Sequence, residues 1–157
     1  PIGWWKIFDS EEKLIEEREY ILHNDKKFLN QIIFYDLNGK IISEKSSYFK
    51  LNIPDTIHLG KNEGRINLFI EKTKDARTFF SIVIENTYNE NKIVSDTFNI
   101  TNDNRFGIYA SKHGKLNIKG TIIERVIHTK RINSTSDSLE MNTQDYFRNF
   151  EKEVFVK

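Results

Sequence analysis

A mainly β fold, an antiparallel β-sandwich preceded by one N-terminal α-helix, is what this sequence predicts, and three observations carry it. Short runs of alternating apolar residues follow one another over residues 48–129, and a period of two marks strands with one buried face. Turn residues separate these runs at roughly 8–12-residue spacing with no helical pattern between them, which favours antiparallel sheets. Ahead of this block, apolar pairs recur every seven residues, at Leu14-Ile15, Ile21-Leu22 and Phe28-Leu29, the interval of a stripe down a helix.

The first 30 residues are expected to form a juxtamembrane segment and helix, and residues 31–157 the sandwich. Asp9 or Ser10 can cap the helix, Asp9 and Glu12 stand at capping-box spacing, and acids fill the first turn. Arg18 and Asp25 interrupt the stripe, so a helix lying across its own domain is favoured over a coiled-coil stalk. Asn38-Gly39 between β-branched runs predicts a type I′ hairpin, whose two central residues need positive φ. A second hairpin is expected after residues 66–70, turned by residues 74–77, with Phe80, Ile82 and Ile84 on one face of the return strand.

Residues 86–91 read as the next turn and 92–100 as a weaker strand. Phe106, Ile108 and Ala110 resume the alternation. Leu116, Ile118, Gly120, Ile122, Glu124 and Val126 then share one face of a long strand that gains apolar residues on both faces beyond Gly120 and is therefore central. Residues 143–150 fit a short helix or a strand, and residues 153–156 close the fold as a strand.

Twenty-four basic residues are interspersed with 23 acidic ones, a balance that argues against a nucleic-acid footprint, which needs clustered Lys and Arg. The absence of cysteine excludes disulfides, thiolate metal sites and a cysteine nucleophile. No apolar run approaches the ~20 residues of a membrane-spanning helix. Trp4-Trp5-Lys6 has the composition of a bilayer interface, and the chain opens at Pro1 rather than Met. These two features lead to the expectation of an extracytoplasmic domain, in the periplasm or at the cell surface, with a membrane anchor upstream. The alternative is that both tryptophans pack on the domain.

Chemistry is sparsely signalled. His23, His58, His113 and His128 have no ligand spacing, no Gly-rich loop opens a helix, and no G-x-S-x-G elbow occurs, so no catalytic residue and no cofactor is assigned. Asp96, Asn102, Asp103 and Asn104 offer oxygen ligands for calcium, while an Asn/Asp-stabilised turn is the simpler account. Asn99-Ile100-Thr101 and Asn133-Ser134-Thr135 match the glycosylation sequon, which an Asn-rich chain also produces by chance. Tyr146, Phe147, Arg148 and Phe150 form a candidate recognition patch if exposed and a cap on the sandwich if not. Glu124 shares parity with the core face, and a solvent-facing or bulged strand is expected there because lone carboxylates are rarely buried.

The strand pattern of residues 46–157 resembles the immunoglobulin-like or fibronectin-like domains of bacterial envelope proteins, without the cysteine pair or core tryptophan of antibody domains. That resemblance implies a non-catalytic domain that binds another protein or a surface polymer. A helix leading into Phe34-Tyr35-Asp36-Leu37-Asn38-Gly39-Lys40-Ile41-Ile42 is similar to the start of Cache or PAS-like sensor domains. This second resemblance implies a small ligand, but helices between the later strands are missing.

Overall fold

The computed structural model describes residues 2–23, 25–70, 76–89, 92–100, 103–131 and 139–157. Strand makes up 79% of the described residues, in two sheets, and no helix occurs among them. The chain divides into two compact units, Pro1–Leu51 with Ile66–Glu71, and Asn52–Arg65 with Lys72–Lys157.

The first unit contains β1 (Gly3–Phe8), β2 (Leu14–His23), β3 (Lys26–Phe34) and β4 (Ser47–Asn52), in that order across the sheet. The expected N-terminal helix is replaced by two hairpins. Leu14-Ile15 and Ile21-Leu22 lie in one strand, β2, and the next interval spans the turn into β3, so Ile21 stands directly opposite Phe28. His23 pairs with Lys26 around a turn in which Asp25 has a φ of 60°. The segment Glu16-Glu17-Arg18-Glu19-Tyr20 between the apolar pairs serves both faces of β2, as strand alternation demands.

The side chain expected to cap that helix caps a hairpin instead. Asp9 Oδ1 accepts the Glu11 and Lys13 N–H groups at 2.9 Å each, and the Asp9 N–H donates to the Lys13 carbonyl at 2.9 Å. Asp36 repeats the device: its Oδ1 accepts the Asn38 and Lys40 N–H groups at 2.9 Å, and its N–H reaches the Lys40 carbonyl at 2.8 Å. Positive φ falls on Glu12 in the first turn and on Gly39 in the second, 61° and 75°. Asn38 does not share it, so the turn before the Tyr35–Ile41 bridge is not the expected type I′.

The second unit contains β5 (Thr56–Ile57), the first half of β6 (Gly60–Ile70), β7 (Ala76–Asn89), β8 (Lys92–Asn99), β9 (Arg105–Ala110), β10 (Gly114–Arg131) and β11 (Leu139–Val156). One sheet runs β5-β11-β10-β7-β8, antiparallel except where β5 pairs with β11. Residues 60–65 of β6 pair with β9, and residues 66–70 belong to the first unit. The hairpin expected between β6 and β7 does not form: β7 pairs with β10 and β8. The proposed turn residues Lys74 and Asp75 lie outside the described residues.

The expected faces are otherwise those observed. Ile82, Ile84, Ile118, Ile122 and Val126 are buried from β7 and β10, and Phe106, Ile108 and Ala110 from β9. Residues 143–150 are strand, because β11 pairs with β10 along its whole length. Two glycines are set by this packing. A Cβ at Gly120 would collide with the Phe150 ring, and one at Gly64 with the Phe106 ring.

Candidate functional site

β1 has β2 on one side and lies at the edge of its sheet. Gly3 stands opposite Tyr20 and Trp5 opposite Arg18. The Trp5 ring meets Tyr20 edge-on, with centroids 5.8 Å apart at 69°. Lys27 completes this face, its Nζ 3.9 Å from the Tyr20 ring centre and 4.5 Å from that of Trp5. An ammonium at this range is held by the ring quadrupoles. On the opposite face, Trp4 is paired with Glu19 and Lys6 with Glu17.

Polar groups hold the hairpin below this surface. The Glu17 carboxylate accepts the Tyr35 hydroxyl at 2.5 Å and lies 3.7 Å from Lys6 Nζ. Burial first, and the Glu17 carboxylate second, push the Tyr35 hydroxyl up to about 12. Glu19 accepts the side-chain amides of Asn30 and Gln31 at 2.6 and 2.7 Å, and Gln31 Oε1 accepts the Phe49 N–H at 2.9 Å. Glu16 pairs with Arg18, and that carboxylate raises the Arg18 guanidinium above its ordinary value.

Beside its buried Tyr48, Phe49 and Ile66, this unit also buries polar side chains and exposes large apolar ones. Glu16, Asn30, Gln31 and Ser46 are buried, while Trp4 (47% exposed), Trp5 (38%), Leu22, Phe28 and Leu29 face outward. Trp4 and Trp5 point to opposite faces of β1, so apolar side chains are exposed on both faces, and exposed apolar surface of this kind marks interaction sites.

The sequence-predicted aromatic patch does not stay together: strand parity puts Phe147 on the face opposite Tyr146, Arg148 and Phe150, and of those three Tyr146 is exposed. Phe150 is buried and packs against Phe106, with ring centres 6.2 Å apart. Arg148 is also inward, with Nη1 2.9 Å from Glu124 Oε2. Tyr146, directly opposite Glu124, is 43% exposed, and Phe147, opposite Ile123 on the other face, is 58% exposed. Glu124 is thus neither solvent-facing nor bulged. Its partner comes from the next strand on the diagonal, since Arg148 stands opposite Ile122, a relation that only the strand register reveals.

Asp96 Oδ2 accepts the Tyr88 hydroxyl at 2.5 Å and Asn86 Nδ2 at 2.7 Å, and these bonds hold its carboxyl below the ordinary value. Asn86 Oδ1 in turn accepts the Tyr109 N–H at 2.8 Å, tying β7 to β9. Asp103 is exposed, Asn104 has a φ of 51°, and Asn102 lies outside the described residues. Among the described residues no cluster of three His, Asp or Glu side chains could hold a metal ion. Sequence reading missed Asn86 by assigning it to a turn, although it continues the Ile82, Ile84 alternation and is 3% exposed.

A shallow groove of about 240 Å³ is lined by Asn62, Glu63, Phe98, Arg105, Phe106 and Gly107, below the ~300–1,000 Å³ of common ligand sites. No protein-family model, no curated protein and no solved structure matches the chain.

Proposed function

We propose that this chain is a non-catalytic, extracytoplasmic interaction domain, an antiparallel β-sandwich of immunoglobulin-like or fibronectin-like arrangement. In the full-length protein it is tethered to a membrane, and it binds another protein or a surface polymer. The observation that carries this reading is the exposure of Trp4, Trp5, Phe28 and Leu29 in the first unit, where polar side chains are buried around β2 and β3. Large aromatics supply most of the energy at an interface because each removes much apolar surface from water at low side-chain entropy cost. An edge strand adds main-chain hydrogen bonds to any extended partner.

The test is a binding panel of immobilised envelope proteins and surface glycans probed with the unmodified chain and with a Trp4→Ser/Trp5→Ser variant. Saturable binding to one member, reduced at least about tenfold in the variant as expected for the loss of aromatic anchors, supports the proposal. Binding that the variant retains in full removes β1 from the mechanism.

A further inference from the structure

The outer edge of β1 limits what can pair with it. Its N–H and C=O groups on the side away from β2 have no strand neighbour among the described residues. The edge has one lysine, no proline and no bulge over residues 4–7, the devices that usually block edge pairing. Gly3, with a φ of +94°, takes the chain out of extended conformation at one end. The β1–β2 register shifts between Ile7 and Phe8 at the other. The usable template is therefore Trp4-Trp5-Lys6-Ile7.

Two copies of one strand can join edge to edge, antiparallel, only about a two-fold axis that sets some residue opposite itself, because directly opposed side chains share a face. Centring on Lys6 opposes two ammonium groups and places Trp4 against Phe8, beyond the register shift. Centring on Trp4 pairs Trp4 alone within this template, since Trp5, Lys6 and Ile7 then stand opposite Gly3 and the residues before it, and the extended backbone ends at Gly3. Centring on Trp5 opposes the two Trp5 rings on one face and, on the other, sets Trp4 of each copy against Lys6 of the other copy. Aromatic–aromatic and cation–aromatic pairs are both favourable across strands. Lys6 is 60% exposed beside Glu17, so its ammonium is accessible.

We propose that β1 pairs with β1 of a second copy in the alignment centred on Trp5, joining the two edges through residues 4–6 into one continuous sheet. The proposal rests on the interaction reading above and names one partner for its surface. Each tryptophan offers on the order of 100 Å² of remaining surface, so the buried total falls under the ~1,200 Å² of stable complexes. The dimer is therefore weak and concentration-dependent, suited to copies held together at one surface.

The chain has no cysteine, so single-cysteine variants read the register directly. Trp4→Cys, Trp5→Cys and Lys6→Cys are oxidised separately and in pairs, and the unmodified chain is sedimented from about 1 μM to 1 mM, the range where weak dimers dissociate. The expected results are a reversible monomer–dimer equilibrium and self-crosslinking of Trp5→Cys at least about tenfold faster than of its neighbours, since only there do Cβ atoms come within disulfide range. Trp4→Cys and Lys6→Cys should crosslink chiefly when mixed. A monomer throughout that range, equal rates at the three positions, or a maximum at position 4 or 6 overturns the proposal. Loss of the dimer with retained, Trp4- and Trp5-dependent binding in the panel leaves the broader interaction reading standing, so the two failures are separable.

Discussion

Arg148 and Glu124 form a buried ion pair in the second unit, with side chains 11% and 6% exposed. Replacing Arg148 by Met keeps the volume of the aliphatic stem but strands the Glu124 carboxylate under Phe80 and Tyr146, its direct cross-strand neighbours. Removing one member of a buried pair costs about 3–5 kcal/mol, because the remaining charge keeps its desolvation penalty without its partner. With a urea dependence of about 2 kcal/mol per molar, the unfolding midpoint should fall by about 1.5–2.5 M. Glu124→Leu combined with Arg148→Met removes both charges and should recover most of the loss, since an apolar replacement of a whole pair is close to neutral. Urea unfolding followed by far-ultraviolet circular dichroism, for the chain, both single variants and the double variant, closes the cycle. An Arg148→Met cost below about 1 kcal/mol, or a double variant as unstable as the sum of the singles, would refute the reasoning.

Gly120→Ala should cost about 1–3 kcal/mol by overpacking against Phe150 and Ile84, and Phe150→Leu in the same chain should recover part of it in thermal unfolding. Glu12 occupies the position that Gly39 holds in the equivalent turn, so Glu12→Gly should raise stability by about 1 kcal/mol through relief of positive φ, whereas Gly39→Ala should lower it in the same assay. Tyr35 has a folded-state pKa raised to about 12. Its stabilising contribution is therefore complete below its unfolded value of about 10 and is lost as pH rises from there toward 12, and Tyr35→Phe should flatten this alkaline decline in pH-dependent melting. The Asp96 carboxyl is held low by Tyr88 and Asn86. Its contribution is present above the ordinary carboxylate range and disappears as pH falls below it, so Asp96→Asn should remove that part of the acid sensitivity.

Strand parity was legible wherever a run of four or more alternating residues had one apolar face. Ile82 and Ile84, Phe106, Ile108 and Ala110, and the face from Ile118 to Val126 are buried as their spacing predicts. The N-terminal segment departs from the helical expectation for a physical reason: the apolar pairs that mimic a helical stripe lie at the two ends of one strand, β2, and across the following turn in β3, where Ile21 stands opposite Phe28. Asp9 reinforced the error, because an aspartate that binds N–H groups ahead of it serves a hairpin loop as well as a helix start. Parity placed Glu124 on the core face, but its partner Arg148 lies 24 residues away and is fixed only by the β10–β11 register. The same limit applies to the surface around β1, since the Trp5, Tyr20 and Lys27 grouping draws on three strands.

Trp4 and Trp5 are the two tryptophans of the chain, so intrinsic tryptophan emission reports on the β1 edge alone. Its acrylamide quenching, measured on the unmodified chain while a binding partner from the panel is titrated to saturation, tests most directly whether function runs through this edge. Interaction at β1 predicts a blue-shifted emission and a fall in quenching that follow the binding isotherm, as indole rings leave water. Saturated binding with emission and quenching both unchanged would contradict it.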